Sequence, residues 1–135
     1  LPVGEAETLR PGKDAAVLAL GSTIPAALQA VQELSREGLE VSLINARFVK
    51  PLPHKLLHSL AQSHSKLILV EENALAGGFG SAVLEYLADE GLLNGLRVKR
   101  LGLPDRFLQH GPQEALRSLA GINAEGIKKA ILSLF

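Results

Sequence analysis

Three glycines in four positions, Gly77-Gly78-Phe79-Gly80, separate two segments of different periodicity. Before them, Leu67-Ile68-Leu69-Val70 is a short apolar run followed by two acids, Glu71 and Glu72, and then Asn73. It reads as a buried strand that leaves the core at Glu71. After them, the apolar positions Val83, Leu84 and Leu87 recur with a helical period. A glycine turn between strand and helix offers free backbone N–H groups at the positive end of the helix, and the chemistry open to it is anion binding. The turn lacks the Lys-Ser/Thr of a P-loop. It also sits on a late strand and lacks a full G-x-G-x-x-G pattern with an acid about twenty residues on, which leaves little support for a dinucleotide site. The favoured reading is a tight turn whose glycines let a neighbouring element pack closely.

Glu71 and Glu72 are adjacent on the strand, so their side chains point to opposite faces and cannot serve one substrate atom as paired acid and base. At most one faces a site, and the expected role is a strand-end carboxylate accepting backbone or Arg hydrogen bonds. His54 and His58 are four apart on a predicted helix and could share a metal, but no third ligand of suitable type lies nearby and no Glu sits between them. A solvated helix flank is the better reading. His110 lies in a polar loop, Asp105-Arg106-Phe107-Leu108-Gln109-His110-Gly111, after the last strand. Ser22 and Ser81 each follow a glycine near a helix start without the Gly-x-Ser-x-Gly elbow of a hydrolase, and read as caps. The chain therefore offers phosphate-friendly loops and no self-contained catalytic set.

The elements that must position these residues alternate. Residues 1–10 are extended, and the turn cluster Arg10-Pro11-Gly12-Lys13-Asp14 predicts a hairpin into the buried strand Ala15–Leu20. Ser22 or Thr23 is placed to cap the next helix, with Pro25 in its first turn, Ala27, Leu28, Val31 and Leu34 on its apolar face and Gly38 at its end. Leu39–Asn45 is the next strand, in a right-handed parallel βαβ unit. Pro53 opens a helix with Leu56, Leu57 and Leu60 inward. Arg97–Leu103 has the mixed polarity of a sheet edge. Helical patterns over Pro112–Ala120 and from Asn123, an N-cap, to Leu134 complete the chain.

This is an α/β pattern: a three-layer α/β/α sandwich in one domain, residues 1–135, on a mostly parallel five-stranded sheet with an antiparallel N-terminal edge strand. Asn45–Phe48, the glycine turn and Asp105–His110 all follow strands, so they are expected to converge at the sheet's carboxyl edge. There Arg47, Arg106 and one of the two glutamates would form a polar cluster that fixes loops against another domain.

With 14 basic and 14 acidic residues the formal net charge is +0, and no basic face is predicted, which argues against nucleic acid as a partner. The absence of Cys excludes disulfides, thiolate nucleophiles and soft metal sites. Apolar runs of about six residues are far too short to span a bilayer, and no signal pattern opens the chain, so no membrane association is expected. There is no Met, so Leu1 is not the product of a start codon, and the chain is expected to be a piece of a longer protein.

Val70-Glu71-Glu72-Asn73 followed by Gly77-Gly78-Phe79-Gly80-Ser81-Ala82-Val83 resembles the C-terminal domain shared by transketolases and the beta-type subunits of 2-oxoacid dehydrogenases. Asn45-Ala46-Arg47-Phe48-Val49-Lys50-Pro51-Leu52, Leu101-Gly102-Leu103-Pro104-Asp105-Arg106-Phe107, His110-Gly111 and Pro2-Val3-Gly4 are similar to the 1-deoxy-D-xylulose-5-phosphate synthase family in particular. The resemblance implies the third domain of a cytoplasmic (in a plant, plastid-stromal) homodimer. That enzyme uses thiamine diphosphate and Mg²⁺ to condense pyruvate with D-glyceraldehyde 3-phosphate, losing carbon dioxide, for non-mevalonate isoprenoid synthesis. It also implies that cofactor and metal sit in the two preceding domains: no Gly-Asp-Gly motif with a downstream Asn is present here. No catalytic, cofactor or metal residue carries over. The candidates are interface and loop residues: Asn45, Arg47, Phe48, Glu72, Asn73, Gly77, Gly78, Gly80, Asp105, Arg106 and His110. The competing expectation is a free-standing flavodoxin-like module that binds a phosphorylated metabolite at the Gly77–Gly80 and Asp105–Gly111 loops.

Overall fold

A computed structural model describes residues 7–46, 54–74, 79–103 and 122–135. The predicted helix over 112–120 lies outside them. Strands β1 (Glu7–Arg10), β2 (Ala15–Ala19), β3 (Val41–Asn45), β4 (Lys66–Ala74) and β5 (Arg97–Leu103) form one sheet in the order β1-β3-β2-β4-β5. β1 is antiparallel to β3 and the other pairings are parallel. Helices α1 (Ile24–Arg36), α2 (His54–Ser63), α3 (Phe79–Asp89) and α4 (Ala124–Leu132) cover it.

The alternation of side chains along each strand divides the core into two layers. Val17, Leu43, Ile68 and Val70 pack with Val31 and Leu34 of α1 and Ile127 and Ile131 of α4. Leu18, Ile44, Leu67 and Leu69 pack with Leu57 and Leu60 of α2 and Val83 and Leu87 of α3. The sandwich expected from the sequence is therefore present, with β5 and β1 at the edges.

The hairpin is not. β1 pairs with β3, not with β2. All five β2 residues are buried, and its two edges are taken by the parallel neighbours β3 and β4, whereas the half-exposed pattern of β1 suits an outer position. The turn that was to close the hairpin instead crosses over the start of β3. Gly12 N donates to Ser42 Oγ at 2.8 Å, and the Ser42 hydroxyl donates to Gly12 O at 2.5 Å. A Cβ at Gly12 would fall 2.6 Å from the Val41 backbone, so only glycine fits this crossing.

The termini of the helices follow local chemistry with one correction. Thr23, at the N-cap of α1, does not cap with its side chain: its hydroxyl donates to Leu20 O at 2.8 Å, closing the Gly21–Thr23 3₁₀ turn. At the other end Gly38 has φ +90°, and the bonds Gly38 N to Ser35 O and Leu39 N to Leu34 O complete a Schellman motif. Asn123 caps α4 as expected, its Oδ1 accepting from Gly126 N at 2.7 Å.

Lys128 ties α4 to α1 by donating to Glu37 and lying 3.9 Å from Glu33. The hydrogen bond to Glu37 is the main cause that raises the Lys128 ammonium above its ordinary 10.5, against a smaller opposing effect of burial. A folded-state value above the unfolded one means this contribution is complete below about pH 10.5 and is lost as the pH rises through the folded-state value. The alkaline limb of the stability profile is therefore expected to start earlier than in Lys128→Met, which can be followed by thermal unfolding between pH 9 and 12. Identical alkaline limbs would remove Lys128 from the account.

Among the described residues no helix is long and apolar enough to cross a membrane.

Candidate functional site: the carboxyl edge of the sheet

Along β4, Leu67 and Leu69 face α2 and α3 while Ile68 and Val70 face α1 and α4. Glu71 continues this alternation onto the α2/α3 face. It is only 2% exposed, an acid at the point where the apolar strand ends. A carboxylate buried this deeply needs partners. Its Oε1 accepts from Gly80 N, in the first turn of α3, at 2.9 Å. The acid thus caps a helix N-terminus from a neighbouring strand, where its charge and the helix dipole are complementary.

Arg100 of β5 comes to the same point. Val98, two residues earlier, packs in the α2/α3 layer, so Arg100 shares that face. Its Nη2 donates to Ser81 Oγ at 2.9 Å. A Cβ at Gly80 would fall 2.9 Å from Arg100 Nε and 3.1 Å from Glu71 Oε1, so guanidinium and carboxylate flank one residue that has no side chain. The β4–β5 ladder is irregular here: Val70 pairs with Leu101 and Ala74 with Leu103, so three β4 residues stand against one on β5. Such a bulge bends the strand and marks a place where the ladder alone does not position the chain.

Glu72 and Asn73 lie in that bulge. Asn45, the last residue of β3, pairs with Ala19 of β2 and Glu7 of β1, and its buried Oδ1 accepts no hydrogen bond among the described residues. Asn45 thus ends β3, Glu72 and Asn73 lie near the end of β4, and Gly80 lies in the first turn of α3. Arg47, Phe48, Gly77, Gly78, Asp105, Arg106 and His110 lie outside the described residues. Ser81 is not an N-cap but the acceptor for Arg100, and Ser22 lies in the 3₁₀ turn after β2.

The histidine pair has another role than the metal alternative. His54 stacks on Tyr86 of α3 at 4.3 Å between ring centroids, and His58 meets the same ring edge-on at 5.8 Å, with its Nε2 3.4 Å from Glu90. Desolvation, and second the Glu90 charge, raise the Tyr86 phenol above its ordinary 10.0. Among the described residues no three His, Cys, Asp or Glu converge as a metal site would need. The residue that the sequence reading missed is Arg100. The signal was present in the register: Leu69 pairs with Arg100, so Glu71 lies two residues along the same face, a diagonal cross-strand neighbour.

Among the described residues, a mostly parallel sheet with one antiparallel edge, two helices on each face and a polar cluster at the strand carboxyl ends define a doubly wound α/β domain. The chain belongs to the transketolase C-terminal domain family, whose model, "Transketolase, C-terminal domain", matches residues 4–127. It is 51% identical over 94% of its length to 1-deoxy-D-xylulose-5-phosphate synthase 1 of Geobacter metallireducens and 48% identical over 97% to the 1-deoxy-D-xylulose-5-phosphate synthase of Aquifex aeolicus. It spans 20% of the length of each. Among solved structures it is similar to one described as "Split gene transketolase, inactive beta4 tetramer", with a TM-score of 0.86 and 30% identity over 98% of this chain and 43% of that one. A Campylobacter jejuni transketolase, at 17% identity with a TM-score of 0.69 over 96% of this chain and 18% of that one, shares the fold.

Proposed function

We propose that this chain is the third, C-terminal domain of a thiamine diphosphate-dependent 1-deoxy-D-xylulose-5-phosphate synthase. The parent enzyme would condense pyruvate with D-glyceraldehyde 3-phosphate, with loss of carbon dioxide. The observation that carries this reading is the named relatives' identity of about half, sustained over nearly the whole chain. We read the parent as a cytoplasmic homodimer and this domain as its packing and dimerisation module. At its carboxyl edge Glu71 is bonded to Gly80 N and Arg100 to Ser81, bonds within this domain that hold the edge in shape.

We read cofactor and metal as held by the preceding domains, as the resemblance to the synthase implies, and this chain's own contribution as holding those domains and the second subunit in place; among the described residues no three His, Cys, Asp or Glu converge. Titration calorimetry of the isolated chain with thiamine diphosphate and Mg²⁺ is expected to give no saturable heat, while the full-length protein binds both and forms the product. Micromolar binding by the isolated chain would move the cofactor site into this domain.

A further inference from the structure

We propose that Arg100 is a positioning residue for the carboxyl edge of the sheet, acting through Ser81 and beside Glu71 on the start of α3. The inference rests on reading the chain as the packing domain of the synthase, and adds to it the residue that sets the packing surface.

Two consecutive residues in the first turn of α3 are tied to two different strands. Gly80 N donates to Glu71 of β4, nine residues away in sequence, and Ser81 Oγ accepts from Arg100 of β5, nineteen residues away. Both ties involve a charged group, which makes them shorter-ranged in geometry and stronger than neutral hydrogen bonds. The apolar contacts of α3 come further along, at Val83 and Leu87, and fix its depth on the sheet without fixing where it begins. The β4–β5 register shifts between Val70 and Ala74, so the side-chain ties add to the ladder in setting the position. Arginine suits the task because its planar fork addresses a fixed direction, whereas a lysine ammonium is a point charge. An edge displaced by about 1 Å would misplace the domain that rests on it, and an error of that size far from the chemistry can cost about a hundredfold in rate.

The test uses the full-length enzyme with Arg100→Lys, Arg100→Met and the double substitution Glu71→Met/Arg100→Met, reading melting temperature, kcat and KM for both substrates. Arg100→Met is expected to lower both melting temperature and kcat, and Arg100→Lys to recover them only in part. The double variant replaces both charged groups, one buried and one half-buried, by apolar groups of similar length, so that neither charge is left behind without the other nearby. It should melt near the wild-type temperature while kcat stays down about tenfold with KM unchanged within about twofold. A double variant with wild-type kcat as well as wild-type melting would overturn the positioning role. A wild-type protein without synthase activity would instead overturn the functional reading beneath it, so the two failures are distinguishable.

Discussion

Glu71→Ala is expected to destabilise the domain by about 2–4 kcal/mol, the cavity left by a buried side chain together with a backbone N–H that loses its acceptor. Two effects add in the same direction. Glu71 is only 2% exposed, so its loss leaves a hollow that water does not readily fill. Gly80 N loses its acceptor inside the protein. Glu71→Gln keeps the shape and an acceptor oxygen for Gly80 N, and should cost clearly less than the alanine variant. Urea unfolding of the three proteins measures the difference. Equal stability of Glu71→Ala and wild type would mean that the carboxylate is not integral to the fold.

Gly80→Val is the second large effect, and its sign is decided by two opposing magnitudes. Replacing a helical glycine ordinarily favours the helix, by up to about 1 kcal/mol for alanine and less for a β-branched residue. Here the new Cβ would fall 2.9 Å from Arg100 Nε and 3.1 Å from Glu71 Oε1. Both atoms belong to side chains engaged in hydrogen bonds, so moving them aside breaks the bonds to Ser81 and Gly80 as well as straining the contact. Overpacking of this kind costs about 1–3 kcal/mol before the lost bonds are added. A net loss of about 2–4 kcal/mol follows for valine. Thermal unfolding that showed Gly80→Val to be as stable as wild type would mean that Arg100 swings away freely.

Most of the sandwich is legible in the sequence because periodicity reports burial directly. The all-apolar Ala15–Ala19 run could only be an inner strand, and the polar alternation of Arg97–Leu103 could only be an outer one. The partner of β1 was not legible. A turn cluster of Pro, Gly and Asp reads as a hairpin, and nothing local says that Ser42, thirty residues on, grips Gly12 and turns the crossing over β3. The capping roles of Thr23 and Ser81 were misread for a related reason: a hydroxyl near a helix start can donate as well as accept, and the nearest acceptor or donor in space decides which.

Glu71 shows the same boundary from the other side. Its role as a strand-end carboxylate bonded to backbone followed from its position after four apolar residues, but the residue beside it did not. Arg100 stands in a strand read only as an edge, and it joins the cluster through the β4–β5 register, a long-range property. The glycine at position 80 was read as allowing close approach, and the approaching groups prove to be side chains of the same domain.

The central claim, that the carboxyl edge is the surface on which the rest of the synthase rests, is tested most directly by amide hydrogen exchange of the full-length enzyme against this chain alone. Exchange at Leu20–Thr23, Asn45–Ala46 and Glu71–Ala74 is expected to slow by about tenfold or more in the full-length enzyme, while the outer faces of α1 and α4 exchange alike in both. Unchanged exchange at those three segments, with protection gained on α1 and α4 instead, would contradict it.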